Sequence, residues 1–270
     1  MFFKDKVIIV TGSGVGIGRT VSLLLAQQGA KVVINGRDDK KLEAAVKSFP
    51  SGSDVLSVAA DVSDPQQASM LIDKTIERFG RLDVLINNAG VSLNADFANT
   101  KPEIFKKVID ANILGSVYPS MSALKHIEST KGSIVFISSI AGLYGLPKSS
   151  AYSVSKMALT ALSQSLRMEV KERGIHIGIV YVGFTENDPE KRVLNATGEF
   201  IEVAARPAWL QMTQHETASA ILRNIEYRKK STVLTVVGKV NYAITKLFPF
   251  ITEKVVMNSM KRMKNMYGDK

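Results

Sequence analysis

The chain has no cysteine among its 270 residues and only three histidines, His126, His176 and His215, set far apart. Disulfides, iron–sulfur clusters, thiolate zinc and cysteine nucleophiles are thereby excluded, and no transition-metal centre is expected. A run of about eighteen apolar residues, the length a membrane-spanning helix needs, is also missing. The apolar run at 7–10 is too short, and too soon followed by Thr11 and Gly12, to form the core of an export signal. A cytoplasmic location is the expectation. No linker rich in Pro or Gly and no repeat of fixed period interrupts the chain, so a single domain is expected. No groove-reading or base-stacking module is present, and nucleic acid is not an expected partner.

Apolar residues make up 45% of the chain and charged ones 22%, the balance of a protein that folds around a sizeable core. The net charge of +10 is unevenly placed. From Arg223 to Lys270 eleven Lys and Arg stand against Glu226, Glu253 and Asp269, a local net of +8. Runs rich in Val and Ile at 7–10, 32–34, 55–58, 84–86, 134–137 and 177–182 alternate with stretches of helical period at 17–28, 39–48, 65–79, 102–127, 151–173 and 217–228. Nearly continuous apolar strands separated by helices mean a parallel sheet covered on both faces, a doubly wound α/β architecture. In such a sheet, ligands bind beyond the carboxyl ends of the strands, where strand order reverses.

The chemistry-bearing residues fall at those ends. The first strand runs into Thr11-Gly12-Ser13-Gly14-Val15-Gly16-Ile17-Gly18, and a helix follows at once. Glycines let backbone approach a diphosphate, and free N–H groups at a helix start attract its charge. The second strand ends at Asn35-Gly36-Arg37, about where a dinucleotide fold sets an acid against the 2′-hydroxyl of NAD or a base against the 2′-phosphate of NADP. Here the base is present, and Asp38 reads as the N-cap of the next helix. Asp61-Val62 follow the third strand and Asn87-Asn88-Ala89-Gly90 the fourth, where small and amide residues can pack beside adenine and bond a ribose. Ser138-Ser139 close the fifth strand, and Tyr152-x3-Lys156 sit thirteen residues beyond Ser139. Residues four apart share a helix face, so the Lys ammonium can stand beside the phenol and bring it into range as a general acid/base.

Gly12-x3-Gly16-x-Gly18, Asn87-Asn88-Ala89-Gly90, Asn112, Ser139, Tyr152 and Lys156 together resemble the short-chain dehydrogenase/reductase family over about residues 6–182. The resemblance implies a single Rossmann-type sheet, hydride transfer with a nicotinamide cofactor, and a small-molecule carbonyl or alcohol as substrate. Carried residue by residue, it implies Tyr152 as proton donor, Ser139 holding the substrate oxygen, Lys156 binding the nicotinamide ribose and lowering the Tyr pKa, and Asn112 positioning a relay water. The implied cofactor contacts are Gly12, Ser13, Gly16, Ile17, Gly18, Arg37, Asp61, Val62, Asn88, Ala89, Gly90, Tyr152, Lys156 and Thr185, with NADP(H) expected over NAD(H) because of Arg37. One departure stands out: the family's Pro-Gly after the sixth strand is here Val182-Gly183, and Asn187 occupies the usual Thr position, which leaves the carboxamide contact to Thr185 or Asn187. A cofactor-sensing protein that keeps the fold without turnover is the alternative reading.

The catalytic domain is expected over 1–238, with the stretch 184–213, which carries Phe200, Ile201, Trp209 and Leu210, as an irregular substrate lid. Its apolar content favours a greasy substrate. Leu114-Gly115-Ser116-Val117-Tyr118-Pro119-Ser120 and Leu166-Arg167-Met168-Glu169-Val170 are similar to 3-ketodihydrosphingosine reductases, which act on a long-chain lipid ketone. The extension over 239–270 ends in Val256, Met260, Met263 and Met266 at helical spacing, with Lys254, Lys261, Arg262 and Lys264 opposite. Such a basic amphipathic helix can lie on an anionic membrane surface, dock on its own domain or meet a second copy of the chain, and a homo-oligomer is the expected state.

Overall fold

The Val/Ile runs form strands because β-branched side chains suit a pleated surface buried on both sides. A computed structural model describes residues 1–189, 191–203, 207–248, 250–254 and 256–258. The order is β1 (Val7–Val10), α1 (Gly16–Gln27), β2 (Lys31–Gly36), α2 (Asp39–Val46), β3 (Val55–Ala59), α3 (Pro65–Phe79), β4 (Val84–Asn87), α4 (Pro102–Ile109), α5 (Gly115–Ser129), β5 (Ser133–Ser139), α6 (Ser150–Glu169) and β6 (His176–Val182). Then come β7 (Arg192–Leu194), β8 (Phe200–Glu202), α7 (Gln214–Glu226), β9 (Ser231–Val233) and α8 (Val236–Leu247). Seven strands make one sheet in the order β3-β2-β1-β4-β5-β6-β9, every pairing parallel. The order reverses between β1 and β4, which fixes where a ligand crevice opens.

Alternate residues of each strand feed two cores. Ile8, Val10, Val32, Ile34 and Val180 face α1, α2 and α7 through Leu25, Leu42 and Ile221. Val7, Ile9, Val33, Phe136 and Ile179 face α3, α5 and α6 through Leu71, Ile127 and Leu159. Burial on both faces explains why the strands read as unbroken apolar runs, with all four residues of β1 and of β4 and all seven of β6 buried.

The structure departs from the sequence reading in four places. The helix expected over 102–127 is broken by a π-helical turn, Asp110–Leu114, between α4 and α5. The sequence reading missed β9, a short edge strand of Ser, Thr and Val whose burial is only partial. The stretch expected as an irregular lid holds an antiparallel hairpin, β7 with β8, which is tied to the chain after β4 by Asn94 N–H to Leu194 O and Leu194 N–H to Ser92 O, each 2.9 Å. In the C-terminal segment, residues from 259 on lie outside the described ones, and Met260, Met263, Met266, Lys261, Arg262 and Lys264 with them. Val256, on the apolar side of the expected amphipathic helix, is 8% exposed and lines a cavity with Tyr144, Leu146 and Met157, which at this residue matches docking on its own domain. Among the described residues no helix is long and apolar enough to cross a membrane.

Candidate active site

Helix starts leave N–H groups without partners, and side chains normally satisfy them. Asp38 caps α2 through the Lys41 N–H, Asp64 caps α3 through that of Gln67, and Thr213 with Glu216 forms a capping box on α7. By contrast, the N-cap residue of α1, Val15, offers no capping side chain. The α1 start instead faces a groove of about 610 Å³ at the carboxyl ends of β1, β2 and β4. Such a terminus attracts anions.

The turn before α1 is held by a small polar hub. Thr11 Oγ1 accepts the N–H groups of Asn88 and Ala89, both at 3.0 Å. The Asn88 amide donates to the carbonyls of Thr11 (2.9 Å) and Gly12 (3.0 Å). Gly12 has φ +62°, and a Cβ there would stand 2.7 Å from Ala89 Cα, so only glycine fits. Asn88 lines the groove, but its amide is spent on holding this turn. Gly12, Gly16, Ile17 and Gly18 also line it, as do Arg37, Asp61, Val62, Ala89 and Gly90.

Two of the expected cofactor contacts point elsewhere. Ser13 is fully buried, its hydroxyl donating to Val10 O at 2.6 Å and accepting from Asn35 N at 2.9 Å, so it laces β1 to β2. Thr185 is 5% exposed and its hydroxyl pairs with that of Thr217 at 3.1 Å. Asn187 keeps a buried Oδ1 without a hydrogen-bond partner. The residue from this segment that reaches α1 is Asp188, whose carboxylate accepts from Gly16 N at 2.9 Å and pairs with Arg19 at 3.3 Å. Nothing in the sequence singles it out, because the contact spans 172 residues.

At the outer end of the groove Arg37 pairs with Asp61 at 3.5 Å. Partial burial works against ionisation of Asp61, but the hydroxyl and backbone N–H of Ser63, and then Arg37, outweigh it and hold the carboxyl below its ordinary range. Asp38, the one competing acid at the β2 end, also lines the groove, with its carboxylate engaged in capping α2.

The inner end is buried. Gly90 sits at the groove wall, and a Cβ on it would meet Asn112 Oδ1 at 2.7 Å and Lys156 Nζ at 3.6 Å. Asn112 is fully buried: Oδ1 accepts from Val91 N (2.7 Å), and the amide donates to Val91 O (3.0 Å) and Ser155 Oγ (2.8 Å). Ser155 Oγ in turn donates a hydrogen bond to Tyr152 O at 2.7 Å. Asn112 thus ties the chain after β4 to the first turn of α6, and the π-turn is what swings it inward. Ser138 Oγ donates to Lys156 O, anchoring α6 on β5, and Ser139 caps the turn after β5 through the Ala141 N–H at 3.2 Å. Lys156 Nζ donates to Ile137 O at 2.9 Å and lies 5.6 Å from the centroid of the Tyr152 ring. Burial pushes its ammonium down to about 8.

A glycine turn at a helix start and a lysine–tyrosine pair thus stand at the same end of the sheet. The family model for short chain dehydrogenase matches residues 6–197. The chain belongs to the short-chain dehydrogenase family. As a member it is an oxidoreductase, similar to an "uncharacterized oxidoreductase" of Thermotoga maritima, with 36% identity over 190 residues, covering 70% of this chain and 75% of that one. It is 37% identical over 217 residues to the 11-beta-hydroxysteroid dehydrogenase A of Arachis hypogaea, covering 75% of this chain and 61% of that one. Among solved structures, the family fold recurs in a Caenorhabditis elegans short-chain dehydrogenase/reductase solved with cofactor, at TM-score 0.74 and 28% identity over 89% of this chain and 97% of that one. A Burkholderia phymatum member in complex with NAD has TM-score 0.77 at 22% identity, covering 92% and 96%, a likeness of fold.

Proposed function

We propose that the chain is an NADP(H)-dependent carbonyl reductase that interconverts an apolar ketone and its secondary alcohol. The observation that carries this reading is the seat of Lys156, a buried ammonium behind Gly90 and beside the Tyr152 ring. A phenol titrates at ~10, and a neighbouring cation stabilises its anion, so Tyr152 can lose and regain a proton near neutrality. In the reductive direction Tyr152 gives its proton to the carbonyl oxygen, Ser139 holds that oxygen, and Lys156 stabilises the phenolate left behind. The nicotinamide, when bound, supplies the hydride. Asn112 acts on this set as a positioning residue, through Ser155 and the backbone of Tyr152 and Val91.

The groove suits a dinucleotide in size and in its donors. The α1 start would take the diphosphate, Asp61 and Val62 the adenine, and Arg37 a 2′-phosphate. Gly36 brings no carboxylate to repel that phosphate, and Asp38 is committed to its helix. On the substrate side, Phe200 lines the groove and Trp209 is 77% exposed, which favours an apolar ligand under the 184–213 segment. The Arachis relative bears a hydroxysteroid name, and 3-ketodihydrosphingosine is the long-chain candidate. The catalytic unit in this reading is 1–238; a cytoplasmic homo-oligomer with its basic tail against a membrane completes it.

The test is to offer the purified chain NADPH and NADH with a panel of steroid, long-chain and short ketones, following cofactor oxidation. Turnover of apolar ketones with NADPH is expected. Tight NADPH binding without oxidation across the whole panel would favour the cofactor-sensing alternative and end the enzyme reading.

A further inference from the structure

A helix on the surface of a globular protein turns its apolar side inward. On α8 the arrangement is inverted. Val236, Val240, Ala243 and Leu247, spaced 4, 3 and 4 apart, fall on one narrow stripe, and that stripe faces out: Val236 is 77% exposed, Val240 52% and Leu247 68%. The inward side carries Gly238, the half-buried Tyr242 and Thr245, Gly238 packing against Ile140 and Thr235. Beyond the helix the stripe continues into Phe248 and Phe250, exposed and set edge to face at 6.4 Å. Lys239, Lys246 and Lys254 are exposed along the same segment, whose one acid is Glu253.

We propose that the outer face of α8, with Phe248 and Phe250, is a docking surface for an anionic lipid membrane. The stripe stands exposed on the outer side of the helix, and aromatic rings at one end suit the boundary between headgroups and acyl chains. Lys239 and Lys246 line one edge of the stripe, and the +8 balance of the chain from Arg223 onward gives the region a long-range attraction to negative headgroups. A second copy of the chain would bring this lysine row against itself, so self-association lacks the charge complementarity that a lipid surface supplies. The helix also packs on β9 and on the turn after Ser139, at the end of the sheet where the candidate site opens. An apolar ketone dissolved in the bilayer would meet the site there; that step rests on the proposed function, whose membrane contact the docking face gives a place, while the face itself is read from the exposed side of α8.

The experiment is cosedimentation of the full chain with vesicles of phosphatidylcholine alone and of phosphatidylcholine with a third phosphatidylserine, at low and high salt. Binding to the anionic vesicles that weakens as salt rises is expected. Leu247→Glu with Phe250→Glu should lower the partition by about tenfold or more, whereas Met121→Glu, an equally exposed apolar site on α5, should leave it unchanged. NADPH binding measured on every variant certifies the fold and reports on the enzyme reading separately. Absence of binding to anionic vesicles, or equal binding by the double variant, would overturn the proposal. So would loss of a dimer by the double variant with no change in vesicle binding, which would assign the face to a second copy.

Discussion

The two ends of the groove solve opposite electrostatic problems. At the outer end, Arg37 and Asp61 meet with side chains 57% and 35% exposed, in a medium where a pair contributes little to stability and is screened by salt. At the inner end, a lone ammonium is 5% exposed behind a buried amide, where each interaction is strong and each missing partner is costly. The outer end can choose between ligands at little cost to the fold. The inner end can do chemistry only because the fold forces a charge where it is not at ease.

Perturbing the inner end should have the largest effect. Tyr152→Phe deletes the transferable proton and little volume, and kcat should fall by about 10² to 10⁴-fold while cofactor affinity stays within about twofold. Steady-state rates on a substrate from the ketone panel, with a cofactor titration alongside, check it; near-normal turnover would remove Tyr152 from the proton path.

Lys156→Met should separate stability from activity. The ammonium titrates at about 8 in the folded protein against 10.5 normally. Its folded pKa is lowered, so the penalty is fully present below pH 8, and wild-type stability recovers as pH rises from 8 towards 10.5. At pH 7 the cofactor-free variant, after losing the bond to Ile137 O, should be more stable by about 1–2 kcal/mol, a few degrees in Tm, and catalytically crippled. Melting at pH 7 and near pH 10 reads it directly: a gain that does not shrink at high pH contradicts the burial argument.

At the outer end, Arg37→Ala should weaken NADPH by about tenfold, leave NADH unchanged, and lose its effect in high salt. Equal losses for both cofactors would take Arg37 off the 2′-phosphate. The smallest effect belongs to Asp188→Asn between the two ends. Asn keeps an oxygen for the Gly16 N–H but removes a negative charge beside the diphosphate position, so both cofactors should bind about two- to threefold tighter. Calorimetric titration is sensitive enough to see it.

The same division runs through what was legible in the sequence. The six strands and most of their helices declared themselves because burial on two faces leaves unbroken Val/Ile runs; Ser139 closes β5 and Tyr152 and Lys156 share the start of α6, as their spacing suggested, whereas Asn112 came from the family resemblance alone and sits in a π-turn within the helix expected over 102–127. What escaped is tertiary in origin. A three-residue polar edge strand such as β9 has no apolar period to betray it. Ser13 reads as a loop donor until its neighbour β2 is in place. Asp188 reaches α1 only because the chain folds back across 172 residues, and the outward stripe of α8 looks, as a pattern, like any buried one.

The π-turn at Asp110–Leu114 is a phase corrector. Helix α4 presents Ile104 and Val108 to a small cluster with Leu93 and Leu194, while α5 presents Ala123 and Ile127 to the main sheet. A continuous α-helix turns ~100° per residue, and its stripe cannot serve both neighbours. A π-turn absorbs one extra residue. Deleting one residue at 110–114 would let the stretch close as a regular helix with α4 and α5 in their present phase, so the change falls on the turn itself, where Asn112 would lose its partners. In this stretch the chain length is therefore as constrained as the side chains, and an alignment gap placed there would mark a different active site rather than a tolerated loop change.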